Sequence, residues 1–305
     1  MSEVASVPRI SKGLDRFVFF MRKPLKEQGR LMLLRWLRHI PSIPLPMRVS
    51  HVGWWLARND ACGQAMLGSG YEKREREFVA SLLRTGMTVL DIGAHHGLFT
   101  LLASRKVGRP GRVLAFEPSK RERNHLVTHL RLNRCENVEV EGVALGRDSG
   151  PGELYVVEGM ETGCNCLRPP HISEPTTKES VRIETLDACL TRRGIQHADF
   201  IKIDVEGAEL EVFKGATELL KRLPRPIILA EVQDLRTAPW GYPARELVEF
   251  LRQYDFRWFR FAEAGLQPLE EGCGNFNENL VAVPREREPL HFSFRLDTGL
   301  GARPC

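Results

Sequence analysis

The stretch TVLDIGAHHGLFT, Thr88 to Thr100, places Asp91, Gly93 and Gly97 where an apolar run gives way to a helical one. Glycines at such a turn let a ligand approach the backbone, because no side chain stands in the way. A carboxylate at Asp91 can bond an ammonium group, directly or through water. A dinucleotide-binding loop would read G-x-G-x-x-G and hold pyrophosphate on a helix N-terminus. Here the loop is G-A-H-H-G with an acid in front of it, and that acid would repel pyrophosphate. The loop suits instead a nucleoside ligand with an amino-acid end.

Two more acid-bearing segments extend this chemistry. RVLAFEP, Arg112 to Pro118, ends in Glu117, 26 positions after Asp91. A carboxylate there can accept both ribose hydroxyls. Nicotinamide enzymes also use an acid at this point, so Glu117 discriminates only together with Asp91; the pair favours the methyl donor S-adenosylmethionine. DFIKIDVEGAELEVFKGA, Asp199 to Ala216, crowds Lys202, Asp204, Glu206 and Glu209 at a strand end. Asp204 falls where methyl group and acceptor should meet. Methyl transfer is an in-line displacement that needs alignment and exclusion of water, and a hydroxyl acceptor also needs a base. The base candidates are His95, His96, Asp204, Glu206 and Glu231. Glu209 reads equally well as a helix cap, and Lys202 as the partner of an acid. Trp54, Trp55, Trp240 and Tyr242 read as packing residues before sugar-stacking ones. The competing readings are a nicotinamide-dependent reductase and a non-catalytic donor-binding module. The missing G-x-G-x-x-G counts against the first, and intact Asp91, Gly93, Gly97 and Glu117 count against the second.

These residues need a scaffold, and the apolar patterning supplies one. Strands are predicted at Thr88–Ile92, Arg112–Phe116, Val138–Leu145, Phe200–Val205, Pro226–Val232, Phe256–Phe261 and Asn279–Val283. Helices are predicted at residues 71–85, Leu98–Val107, Lys120–Asn133, Leu210–Leu223 and Pro243–Tyr254. Strands that are nearly continuous apolar runs, alternating with helices, indicate a doubly wound α/β fold with a mostly parallel sheet. The last two strands, joined by a loop without helical pattern, should pair antiparallel. An insertion at 151–187, with short strands Glu153–Val157 and Val181–Leu186, should lie over the catalytic face.

Composition sets the outer limits. In 305 residues, 42% hydrophobic and 27% charged, there is enough chain for one large domain. A net charge of +5 is too mild to suggest nucleic-acid binding. Residues 1–50 carry ten Lys or Arg against Glu3, Asp15 and Glu27. Within them, residues 27–40 read as a basic amphipathic helix, which packs on the domain or touches an anionic membrane surface. The seven Cys show no C-x-x-C pair, so reduced thiols are expected rather than a zinc ribbon. No long apolar run or signal peptide is present, which points to a cytoplasmic, at most membrane-peripheral, location.

VLDIGAHHG, VLAFEP, FIKIDVEGAE and a strand with Glu231, in this order, resemble the FkbM family of class I methyltransferases over residues 70–284, the late ENLVAVP stretch included. The resemblance implies a seven-stranded sheet in the order 3-2-1-4-5-7-6, S-adenosylmethionine as cofactor, and O-methylation of a sugar, polyketide or lipid-linked hydroxyl. The division that follows is a basic helical extension at 1–70, a methyltransferase domain at 71–284 and a tail at 285–305. The residues expected to hold the donor are Asp91, Gly93, Ala94, His95, Gly97, Glu117 and Ala144. Asp204, Glu206 and His96 are expected to be catalytic, and no metal site is assigned. Family members often carry Asn where His95 stands.

Overall fold

The computed structural model describes Gly29 and residues 44–67, 71–262, 265–270, 272 and 274–288. The helix expected over residues 27–40 lies outside them, Gly29 excepted. A hairpin comes first, β1 (Leu45–Val49) and β2 (Gly53–Ala57), then α1 (Ala61–Leu67) and α2 (Lys73–Leu82). The described part of the N-terminal stretch is thus a hairpin and a short helix, where a helical extension was expected.

The main sheet starts with β3 (Thr88–Ile92), followed by α3 (Leu98–Val107), β4 (Arg112–Phe116), α4 (Lys120–Asn133) and β5 (Val138–Glu141). After an inserted segment come β9 (Phe200–Ile203), the short helices α6 (Glu209–Lys214) and α7 (Thr217–Lys221), and β10 (Ile227–Gln233). Then follow α8 (Asp234–Thr237), α9 (Arg245–Arg252), β11 (Phe256–Ala262), β12 (Gly265–Pro268) and β13 (Asn277–Pro284). The sheet order is β12-β11-β13-β10-β9-β3-β4-β5. This is the expected 3-2-1-4-5-7-6 order with β12 added as an eighth, edge strand. Strands β5, β4, β3, β9 and β10 run parallel, and β13 and β11 pair antiparallel. The loop expected between the last two strands turns back at once to form β12.

Both faces of the sheet are covered. Leu90, Ile92, Leu114, Phe116, Ile201 and Ile203 join one core with Leu186, Val212, Phe213 and Leu247. Their neighbours of opposite parity, Val89, Val113, Ala115 and Phe200, join another with Trp55, Phe78, Leu101 and Leu126. A strand's two-residue period therefore feeds two apolar layers, and each large side chain so buried stabilises the fold by about 1.5–3 kcal/mol. Asp91 and Lys202 share the parity of Val89 and Phe200, so they emerge on the α3 side.

Two predicted elements are interrupted. The strand expected over Val138–Leu145 leaves the main sheet after Glu141. Its end, β6 (Ala144–Leu145), pairs instead with β8 (Thr176–Glu184), which also pairs with β7 (Gly150–Val157). The inserted segment thus makes a three-stranded sheet of its own and captures these two residues; α5 (Leu186–Arg192) follows it. The helix expected over Leu210–Leu223 breaks at Gly215, where the Gly146 carbonyl comes so close that a Cβ would meet it at 2.2 Å.

Candidate active site

The carboxyl ends of β3, β4 and β9 lie side by side, with Asp91 opposite Ala115 and Lys202 in the ladder. After β3 the chain turns sharply: Gly93 and Ala94 both donate backbone hydrogen bonds to the Phe116 carbonyl, at 3.0 and 2.9 Å. Gly93 has φ +82°, and a Cβ on it would come within 1.8 Å of the Asp204 carbonyl. Only glycine fits there. Two adjoining clefts open on this turn and share Gly93, His95 and Asp204. One is walled by Phe116, Glu117, Val143 and Ala144, with Asn165 and Cys166 of the insertion. The other is walled by Asp91, Lys202 and Phe99, with Trp55, Tyr71 and Glu72 from the N-terminal elements. The insertion reaches the site as expected. Thr162 Oγ1 lies 3.3 Å from His95 Nε2, and the Cys166 thiol donates to the Glu206 carbonyl.

Electrostatics differ between the clefts. Asp91 is 2% exposed, and Thr100 donates to its Oδ2. Burial pushes its pKa up to about 6, against the Thr100 bond and the Lys202 charge. Glu117 is likewise buried and pushed up to about 8, although the Ser119 and His95 N–H groups donate to its two oxygens at 2.9 and 2.7 Å. Lys202 Nζ sits 3.1 Å from Asp204 Oδ2. Burial works against its charge, but Asp204, Glu72 and Glu231 together hold the ammonium firmly protonated. Glu72 stands in the left-handed region at φ 46°, and burial raises it to about 8 despite Lys202.

The geometry is an acid at the tip of the first strand, an acid at the tip of the second, and a third acid shared by two clefts. A model of the methyltransferase FkbM domain matches residues 91–258, more than half of the chain. The chain belongs to the FkbM family of methyltransferases. It is similar to the AMB antimetabolite synthetase AmbE of Pseudomonas aeruginosa, 30% identical over 202 residues, which are 55% of this chain and 9% of that protein. It is also similar to methyltransferase sdnD of Sordaria araneosa, 30% identical over 169 residues, 46% of this chain and 64% of the other. The chain therefore spans less than two thirds of either relative. A crystal structure of methyltransferase FkbM from Methylobacillus flagellatus aligns with 72% of this chain and 54% of its own, at 17% identity and a TM-score of 0.42.

The donor of FkbM methyltransferases is S-adenosylmethionine, and the donor set of this chain fits it. A buried carboxylate at Asp91 would suit an ammonium, Glu117 would suit ribose hydroxyls, and the apolar wall of Phe116, Val143 and Ala144 would suit a purine. Of the residues expected to hold the donor, Gly93, His95, Glu117 and Ala144 line the first cleft, and Asp91 and Ala94 the second. Gly97 lines neither. It is the N-cap of α3 at φ +90°, and its bare face receives Leu126, whose Cδ1 a Cβ would meet at 2.4 Å.

The expected catalytic residues part company. Asp204 lies where the clefts meet. Glu206 lines neither cleft and is drawn 2.8 Å from Arg236 Nε. His96 lines the second cleft, is 2% exposed, and has its Nε2 2.7 Å from Glu122 on α4. Glu209 caps its own loop, accepting from the Val205 and Gly207 N–H groups. Glu231 accepts from Gln233 and lies near Asp204 and Glu206. Trp55 is buried and stacks on His129 with ring centroids 4.2 Å apart, and the Tyr242 hydroxyl donates to the Gly207 carbonyl. Sequence reasoning missed Tyr71, Glu72, Glu122 and Arg236. They lie outside the motifs, on elements whose place beside the strand tips only the fold reveals.

Proposed function

We propose that this chain transfers the methyl group of S-adenosylmethionine to a hydroxyl of a sugar, polyketide or lipid-linked acceptor. The observation that carries the reading is the position of Asp204, shared by the two clefts and paired with the buried Lys202. The sulfonium supplies an already activated methyl group, so the chain has to align, desolvate and deprotonate the acceptor. A carboxylate at Asp204 accepts a hydrogen bond from the acceptor hydroxyl and aims its oxygen. Lys202 fixes that carboxylate from behind. Trp55, Tyr71 and Glu72 close the outer side of the second cleft and exclude water. Glu206, tied to Arg236, holds the β9–α6 turn and serves the reaction through position. A lipid-linked acceptor would agree with the basic helix expected over residues 27–40 and with peripheral membrane contact there.

A panel of hydroxylated acceptors incubated with methyl-labelled donor tests this. The expected product is a methyl ether stable to alkali. Asp204→Asn should lower turnover by about 10²–10⁴-fold while S-adenosylhomocysteine binds as tightly as before. Label on nitrogen or carbon, or turnover unchanged in the variant, would contradict the proposal.

A further inference from the structure

Four side-chain atoms from two elements converge behind the donor loop. Glu122, in the first turn of α4, is wholly buried, and its Oε2 lies 2.7 Å from His96 Nε2. His125 Nδ1 lies 3.0 Å from that nitrogen and 3.4 Å from that oxygen. His95 Nε2 lies 3.8 Å from the same oxygen, its ring stacked on that of His96.

Hydrogen bonds alone do not satisfy this arrangement. A nitrogen of a neutral imidazole carries either a proton or a lone pair. If His96 Nε2 carries the proton, one hydrogen must serve both Glu122 and His125. If it carries the lone pair, that pair faces the carboxylate at 2.7 Å. Protonating His125 as well brings two N–H groups head to head at 3.0 Å. A cation accepts all three lone pairs at once. At the usual metal–nitrogen distance of about 2.0–2.1 Å, an ion touching the three atoms would sit about 1 Å above their plane. The other oxygen of Glu122 is held by Arg121 Nε at 2.6 Å, which orients the carboxylate from outside and leaves Oε2 toward the histidines.

We propose that His96, Glu122 and His125 form a binding site for a divalent transition-metal ion. Imidazoles with one carboxylate suit zinc or cobalt(II) rather than the harder calcium or magnesium. The ion would clamp the donor loop, through His96, to α4. The site stands independently of any assignment of the methyl acceptor, and metal binding can be read without turnover.

The test uses the full chain, free of any histidine tag and stripped with a chelator. Cobalt(II) should give a visible absorption band that saturates at one ion per chain and is displaced by zinc. Zinc should also raise the melting temperature, because it binds the folded state alone. His125→Asn, at a half-buried position, should keep the near-ultraviolet dichroism, weaken cobalt binding at least about tenfold and abolish the thermal shift. Glu122→Gln should weaken binding likewise. No visible band with cobalt, or a band and a thermal shift that persist in both variants, would overturn the proposal.

Discussion

Asp91 is an acid in a place that disfavours its charge. Burial raises its pKa to about 6 from an ordinary value of 3.8. A group raised on folding contributes stability that is fully present below its unfolded value and is lost as pH rises through the folded value. Between about pH 4 and pH 6 Asp91 should therefore progressively destabilise the ligand-free protein, and the loss should stay constant above that. Asp91→Asn should be more stable than the parent by about 1–3 kcal/mol at pH 7.5, with the difference vanishing near pH 4, as urea denaturation would show. Donor binding runs the other way, because an ammonium needs the carboxylate ionised. S-adenosylhomocysteine affinity of the parent should fall as pH drops through about 6. A variant less stable than the parent at pH 7.5, or a parent affinity flat from pH 7.5 to 5.5, would remove Asp91 from this role. Asp91, Gly93 and Glu117 were legible in the sequence because a strand end fixes where its last side chains go. His96 was not, because its partners Glu122 and His125 sit a helix away in the chain, and only packing of α4 on the loop decides which group its ring meets.

At the scale of elements, the hairpin of β1 and β2 is the part with the least sequence signal and a clear physical cause. Its second strand docks on side chains of α4 in place of a further strand. Asn133 accepts from the Trp54 N–H at 2.8 Å and donates to the Trp54 carbonyl, and His129 Nε2 accepts from the Leu56 N–H at 3.0 Å. His129 is thereby the Nδ1–H tautomer, donating to the His96 carbonyl at 2.8 Å. Trp55 fills the space beneath, 1% exposed. Trp55→Ala should cost about 3–5 kcal/mol and open the outer wall of the second cleft, raising the acceptor KM more than it changes kcat. A loss below about 1 kcal/mol would mean that the hairpin is not held by this side chain. Strands such as β3 and β4 could be read to the residue because both faces are buried and the apolar runs are unbroken. The ends of β5 and of α6 could not. What stops them is a contact from afar, the pairing of Ala144 with Ile183 and the approach of Gly146 to Gly215.

At the scale of the molecule, an FkbM methyltransferase sheet carries two attachments, the inserted three-stranded sheet on one side of the strand tips and the N-terminal hairpin with α1 and α2 on the other. The five described cysteines, Cys62, Cys135, Cys164, Cys166 and Cys189, are free thiols, and no helix among the described residues is long and apolar enough to cross a membrane. The order of the central strands was legible from the motifs, since each marks the end of a known strand in that family. The attachments bring Cys166, Trp55 and Glu72, all outside the motifs, to the clefts, which is why the sequence motifs alone say more about donor than acceptor. Asp91 and Glu117, in the two adjoining clefts, are proposed to hold the amino-acid and ribose ends of S-adenosylmethionine. Isothermal calorimetry of the full chain with S-adenosylhomocysteine tests it most directly. Binding with a Kd in the micromolar range, about −8 kcal/mol, is expected, lost in Asp91→Ala, with no heat from NADH. Absence of S-adenosylhomocysteine binding, or binding that survives Asp91→Ala unchanged, would contradict it.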